Sequence, residues 1–165
     1  EPLPDPFPPE FLRLFSAFEE VVLQDLIPYV DATYRTISNR EHRAIAGFSM
    51  GGMQAFVIGL RHMNTFASIG GLSGAGGGFG DGRFDEKRYL GGVLANAEAF
   101  NAKMRLIFIG VGTDEPERIL NGVRGYHRSL ERLGIEHVYY ESPGTGHEWL
   151  TQRRSLRELV SRLFR

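Results

Sequence analysis

Four short apolar runs, each followed by a longer stretch of helical period, constrain this chain more than any other feature of its sequence. The runs are Arg43 to Ala46, Phe66 to Leu72, Leu106 to Val111 and His137 to Tyr140; each is too short for a helix and rich in residues that suit strands. Between them, Met50, Met53, Val57 and Leu60 mark one helix, and Ile119, Val123, Tyr126, Leu130 and Leu133 mark a second, with Gly134 as its stop. Trp149, Leu156, Val160 and Leu163 mark the apolar stripe of a third. Such alternation predicts an α/β fold, a mostly parallel sheet flanked by helices. With 165 residues and 42% hydrophobic content, one core is affordable and a single domain is expected.

Upstream of the first run the pattern changes. Pro2, Pro4, Pro6, Pro8 and Pro9 block helix and strand alike, so residues 1–9 read as an extended arm or linker and residues 10–165 as the domain. From Glu10 to about Thr36, Phe11, Leu14, Phe15, Phe18, Val22, Leu26 and Val30 recur at helical spacing, and Pro28 should kink or restart that helix. The formal charge of -1 gives no field to recruit nucleic acid or an anionic membrane surface. No apolar stretch approaches the roughly 20 residues of a membrane helix, and no signal segment opens the chain. The start on Glu1 suits a processed or truncated piece. Zero cysteines exclude disulfides, thiolate metal sites and a cysteine nucleophile, and leave the compartment open.

Residues 47–51 read Gly-Phe-Ser-Met-Gly, a G-x-S-x-G motif extended by Gly52. It follows one expected strand and precedes an amphipathic helix, the setting of a nucleophile elbow. In that turn the serine backbone is strained, the hydroxyl of Ser49 rises above the sheet, and glycines on either side avoid collisions. The N–H of Met50, opening the helix, would then face a developing oxyanion at the positive end of the helix dipole. A structural role competes: Gly47 and Gly51 for close packing, Ser49 as a helix cap.

A serine hydroxyl becomes nucleophilic only when a base takes its proton, and that base needs an acid to hold its tautomer. In the α/β-hydrolase fold these follow the serine in the order acid, histidine, on loops after later strands. His147 fits, in the loop Pro143-Gly-Thr-Gly-His-Glu-Trp after the last run; His42, His62, His127 and His137 are expected in surface or packing roles. Asp114, just beyond the run Leu106 to Val111, is the expected acid, with Glu115 as nearest competitor and the cap of the next helix as the alternative role for Asp114. Glu148 reads as a helix-start charge. The glycine run 74–80 matches neither G-x-G-x-x-G nor a P-loop and reads as a flexible loop, and no H-E-x-x-H pattern supports a metal site, so no cofactor is expected. Within the segment 73–95, Phe79, Phe84 and Tyr89 either line an aromatic acyl site or pack against one another; packing is the favoured expectation.

The segments Ile27-Pro28-Tyr29-Val30 with Tyr34-Arg35, Ala44-Ile45-Ala46-Gly47-Phe48-Ser49-Met50-Gly51-Gly52, and Gly146-His147-Glu148-Trp149 together resemble the esterase D-like esterases. Within them the chain is most similar to feruloyl and acetylxylan esterases of carbohydrate esterase family 1. The resemblance spans about residues 19–163 and implies Ser49 as nucleophile, His147 as base and Asp114 as acid. It also implies feruloyl or acetyl esters on plant polysaccharide as substrate, and a secreted or periplasmic location. Family members carry an N-terminal half, with further strands and a His-Gly loop donating a second oxyanion N–H, that this sequence lacks. The expected consequences are an open edge at the strand 43–46, which invites self-association, and a rate about 10²–10³ lower for one missing oxyanion donor. The alternatives are an incomplete hydrolase serving as a binding or assembly module, and an acyltransferase or thioester hydrolase using the same three residues.

Overall fold

The computed structural model describes residues 9–76 and 83–164. Its four strands fall on the four apolar runs: β1 (Ala44–Phe48), β2 (Ser68–Leu72), β3 (Leu106–Gly112) and β4 (Val138–Ser142). All neighbours pair in parallel, in the order β1-β2-β3-β4, with Ala46 opposite Gly70, Gly70 opposite Phe108 and Gly110 opposite Tyr140. Each crossover carries a helix: α3 (Met50–Arg61) after β1, α4 (Ala97–Lys103) after β2, α5 (Glu117–Leu133) after β3, with α6 (Trp149–Val160) after β4. Among the described residues no helix is long and apolar enough to cross a membrane.

Two-residue alternation divides the strand side chains between the faces. Ile107, Ile109 and Val111 join Phe56, Val57, Val123, Tyr126 and Leu130 in the main core beneath α3 and α5. Leu106 and Phe108 point the other way, into a smaller cluster with Leu72 and Leu159 beneath α6. Gly134, left-handed at φ 73°, ends α5 where the sequence places its stop.

Within α6 the expected stripe is reversed, while its last member, Leu163, lies just past the helix and packs on the cluster of Leu72, Phe108 and Leu159. Trp149, Leu156 and Val160 are 69%, 44% and 55% exposed, whereas Thr151, Ser155 and Leu159 are buried. The sheet explains this: a Cβ on Gly110 would lie 2.8 Å from Ser155 Oγ, and one on Gly112 would lie 2.9 Å from Thr151 Oγ1. The helix sits so close to glycine backbone that small side chains are the ones that fit beneath it.

The amino-terminal helix is α1 (Pro9–Glu20), a π-helical stretch Val21–Leu26, and α2 (Ile27–Thr33). The Ile27 N–H reaches back five residues to the Val22 carbonyl, directly before Pro28, which has no N–H to offer. The expected disturbance thus takes the form of a widened turn. Pro9 belongs to α1; residues 1–8 of the expected arm, and most of the glycine run 74–80, lie outside the described residues.

β1 forms one edge of the sheet. Ala67 donates to the Arg43 carbonyl and Ser49 to the Leu72 carbonyl, so odd-numbered residues bond toward β2. Ala44, Ala46 and Phe48 therefore turn their N–H and C=O groups outward.

Candidate active site

Ser49 links β1 to α3 with φ 55° and ψ −123°, a conformation that costs a non-glycine residue about 1–3 kcal/mol. The surroundings hold it there. Its N–H donates to the Leu72 carbonyl at 2.7 Å, and its carbonyl accepts from Gly52 at 2.9 Å and Met53 at 3.2 Å. A Cβ on Gly47 would stand 2.1 Å from the Gly51 carbonyl oxygen, and one on Gly74 1.8 Å from the Ser49 carbonyl oxygen. At Gly51 a Cβ would meet nothing within 4 Å, so its expected steric duty falls to Gly47 and Gly74. The Ser49 side chain makes no capping hydrogen bond to α3, which frees the hydroxyl for another partner. The N–H of Met50, in the first turn of α3, lacks an intrahelical acceptor by position and stands at the positive end of the helix.

The partner of that hydroxyl is His147. Its Nε2 lies 2.9 Å from Ser49 Oγ, across 98 residues of chain, and its Nδ1 lies 2.8 Å from Glu115 Oε2. The Glu115 side chain is fully buried and that of His147 is 29% exposed. With the ring proton on Nδ1 donated to this carboxylate, the Nε2 lone pair faces the serine hydroxyl. The other oxygen of Glu115, Oε1, is buried with no hydrogen-bond partner among the described residues.

The carboxylate at His147 is therefore that of Glu115, and Asp114 stands apart from it. The chain turns back at the end of β3, with the Glu115 N–H 3.5 Å from the Gly112 carbonyl. That turn sends Asp114 outward to solvent, where its Oδ1 accepts from Thr113 Oγ1 at 3.0 Å, and brings the next side chain in over the sheet. Asp114 does not cap α5 either; Pro116 occupies that position.

The two loops that carry Glu115 and His147 are bound to each other. Thr113 donates to the Ser142 carbonyl at 3.0 Å, Asp114 to the Thr145 carbonyl at 2.9 Å, and Gly144 to Thr113 Oγ1 at 2.8 Å. Buried Thr151, on the inner face of α6, lies 2.6 Å from Thr145 Oγ1 and 2.5 Å from the Gly146 carbonyl. Thr145 in turn donates to the Ser142 carbonyl at 3.1 Å. These threonines escape sequence reasoning; the available signal was the polar pair Thr151 and Ser155 at one helical turn. Glu148 sits at the start of α6, its Oε1 accepting from the Gly146 N–H at 3.3 Å.

The other candidates lie elsewhere. His42 contacts the Asn39 side chain, His62 pairs with Glu19, and His127 contacts His137. Phe84 and Tyr89 are 1% and 0% exposed and pack on each other and on Tyr126; Phe79 falls outside the described residues. Among the described residues no three histidines and carboxylates are grouped so as to hold a metal ion.

A parallel sheet with a strained serine turn after one strand, and an acid and a histidine on loops after later ones, defines an α/β-hydrolase fold. The chain belongs to the "Putative esterase" family, whose model matches residues 12–159. It is 34% identical over 149 residues to an endo-1,4-β-xylanase/feruloyl esterase of Xylanibacter ruminicola, covering 90% of this chain and 18% of that protein. An esterase of Mycobacterium tuberculosis is 26% identical, with 88% of this chain and 40% of that protein covered. Among solved structures, a CE1 ferulic acid esterase of the anaerobic fungus Anaeromyces mucronatus aligns at TM-score 0.72 and 26% identity, over 98% of this chain and 58% of that one. The enterobactin esterase of Shigella flexneri, at 22% identity and TM-score 0.61, shares the fold. The chain thus spans less than two thirds of the length of each of these relatives.

Proposed function

We propose that this protein is a serine carboxylesterase acting through an acyl-enzyme on Ser49. The observation that carries the reading is the unbroken line from Ser49 Oγ through His147 to the buried Glu115 carboxylate, at 2.9 and 2.8 Å. Ser49 Oγ attacks the ester carbonyl as Nε2 of His147 takes its proton, and Glu115 stabilises the imidazolium through Nδ1–H. The Met50 N–H stabilises the oxyanion. Collapse breaks the bond to the alkoxy oxygen, which leaves as the alcohol with the proton from Nε2. Water then repeats the cycle on the acyl-serine, releasing the acid. The preformed relay favours this over a binding module without catalysis, and the family supports ester hydrolysis over transfer to another acceptor.

Feruloyl or acetyl esters of plant polysaccharide are the substrate class we propose, since the Xylanibacter ruminicola relative is an endo-1,4-β-xylanase/feruloyl esterase and the Anaeromyces mucronatus structure a CE1 ferulic acid esterase. Methyl ferulate and p-nitrophenyl acetate should both be hydrolysed, and a fluorophosphonate should label Ser49. Labelling without turnover of either ester would point to another acyl group; absence of labelling would remove the serine mechanism.

A second proposal concerns assembly. The outward backbone groups of Ala44, Ala46 and Phe48 are bordered by an apolar groove between β1 and the amino-terminal helix, lined by Phe18, Val22, Leu26, Ile27, Ile45 and Phe66. Open edges of this kind pair with further strands, and a second copy of the chain offers one. Light scattering across a concentration series should show a dimer that Ala46→Lys weakens; a monomer throughout would dismiss it.

A further inference from the structure

We propose that Phe48 is a positioning residue for His147: its ring is the face against which the imidazole is held and on which the imidazolium is stabilised. The inference rests on His147 being the general base. Phe48 ends β1, immediately before the nucleophile, and its ring is stacked on that of His147 with centroids 4.6 Å apart and planes 27° apart. It is anchored from behind by the cluster of Leu72, Phe108 and Leu159 on the α6 face.

The geometry explains why a face is needed. Hydrogen bonds at Nδ1 and Nε2 fix two points of the imidazole, and these define an axis lying within the ring plane. Rotation about that axis tilts the Nε2 lone pair and the Nδ1–H bond out of line with Ser49 and Glu115 while hardly changing the two distances. A flat partner stacked on the ring opposes the rotation, and aliphatic contact does so poorly. The same stack lies against the cation formed when Ser49 gives up its proton, a favourable interaction with the aromatic face. The charged groups around the loop leave this role open. Glu115 addresses the ring edge, Glu148 the Gly146 N–H, Asp114 the Thr113 hydroxyl, and Arg154 of α6 the Ser142 hydroxyl and Pro143 carbonyl.

The test measures kcat and KM against pH on p-nitrophenyl acetate for the wild type, Phe48→Leu and Phe48→Tyr. Leucine keeps apolar bulk against Leu72 and Leu159 and removes the flat face. Its kcat should fall about tenfold with little change in KM. Its acidic limb should move down by about half a pH unit, because the imidazolium has lost its aromatic partner. Tyrosine should restore both. A leucine variant with the wild-type kcat and limb, or a tyrosine variant that rescues neither, overturns the proposal. A measurement free of turnover guards against a weak or poorly folded enzyme: NMR titration of the His147 ring in Ser49→Ala, with and without Phe48→Leu. A lower midpoint with leucine supports the stack, and an unchanged midpoint overturns it. His147→Gln separates this from the parent reading, since full activity in that variant removes the general base whatever Phe48 does.

Discussion

Two of the imidazole networks among the described residues are built from similar parts at similar distances. At the carboxyl end of the sheet, His147 joins Ser49 and Glu115 at 2.9 and 2.8 Å. On the outer side of α5 and β4, His127 Nδ1 lies 2.8 Å from His137 Nε2, and His137 Nδ1 is 2.7 Å from the Ile135 carbonyl. His127 also stacks on Tyr139 at 4.0 Å, whose hydroxyl donates to Glu141, itself gripped by Arg124 at 2.7 Å. The difference lies in how each line ends. The first runs from a fully buried carboxylate to a hydroxyl on a strained turn. The second runs from Glu131, 59% exposed, through two rings to a satisfied backbone carbonyl. Short contacts are common to both; a buried carboxylate at one end and a hydroxyl free of capping duty at the other belong to the first.

The comparison breaks most directly at Ser49. Ser49→Ala should cost at least about 10⁴-fold in kcat on p-nitrophenyl acetate. His137→Gln, in the second network, should leave kcat/KM within about twofold; a comparable loss there would erase the distinction. Next in size is the acid. Glu115→Gln should lower kcat by about 10³–10⁴-fold, because a neutral amide no longer enforces the Nδ1–H tautomer, while Asp114→Asn should stay within about threefold. The opposite ranking would assign the role of the acid to Asp114.

The smallest effect concerns stability. Burial, and secondarily His137, pushes the His127 pKa below its ordinary value, against the opposing pull of Glu131. A depressed histidine pKa means that the unfolded chain binds the proton more readily. The associated stability is present above the ordinary midpoint of 6.5 and is lost as pH falls through and below it. Urea titrations at pH 7.5 and 5.5 should show a loss from this site of under about 1 kcal/mol, and His127→Gln should reduce that loss. Glu141 behaves similarly at lower pH. Arg124 holds its carboxyl below the usual value of 4.5, so its contribution disappears as pH falls through that value and lower.

Much of the fold is legible in the residues because it rests on local patterns. Strand runs too short for helices, helical spacing in α3 and α5, and Gly134 past the end of α5 all express backbone preferences within a few residues. The serine turn is legible for the same reason, since a strained turn between strand and helix writes its steric needs into the neighbouring glycines. α6 departs from its expected orientation because its period is sound while its polarity is inverted. Which stripe faces inward is decided by Gly110 and Gly112 on a strand far away in sequence, and no local pattern records that approach.

The acid divides the two kinds of information most cleanly. Chain order alone narrows it to adjacent residues, Asp114 and Glu115, at the end of β3. Which of them reaches His147 depends on one tight turn closing on Gly112 and on a loop from β4 bonded alongside it. Local sequence determined that a hydroxyl would stand on a strained turn above a parallel sheet, because turn sterics act over a few residues. Tertiary structure decided which carboxylate was buried beside the imidazole, because burial is a property of what packs around a side chain and not of the side chain itself.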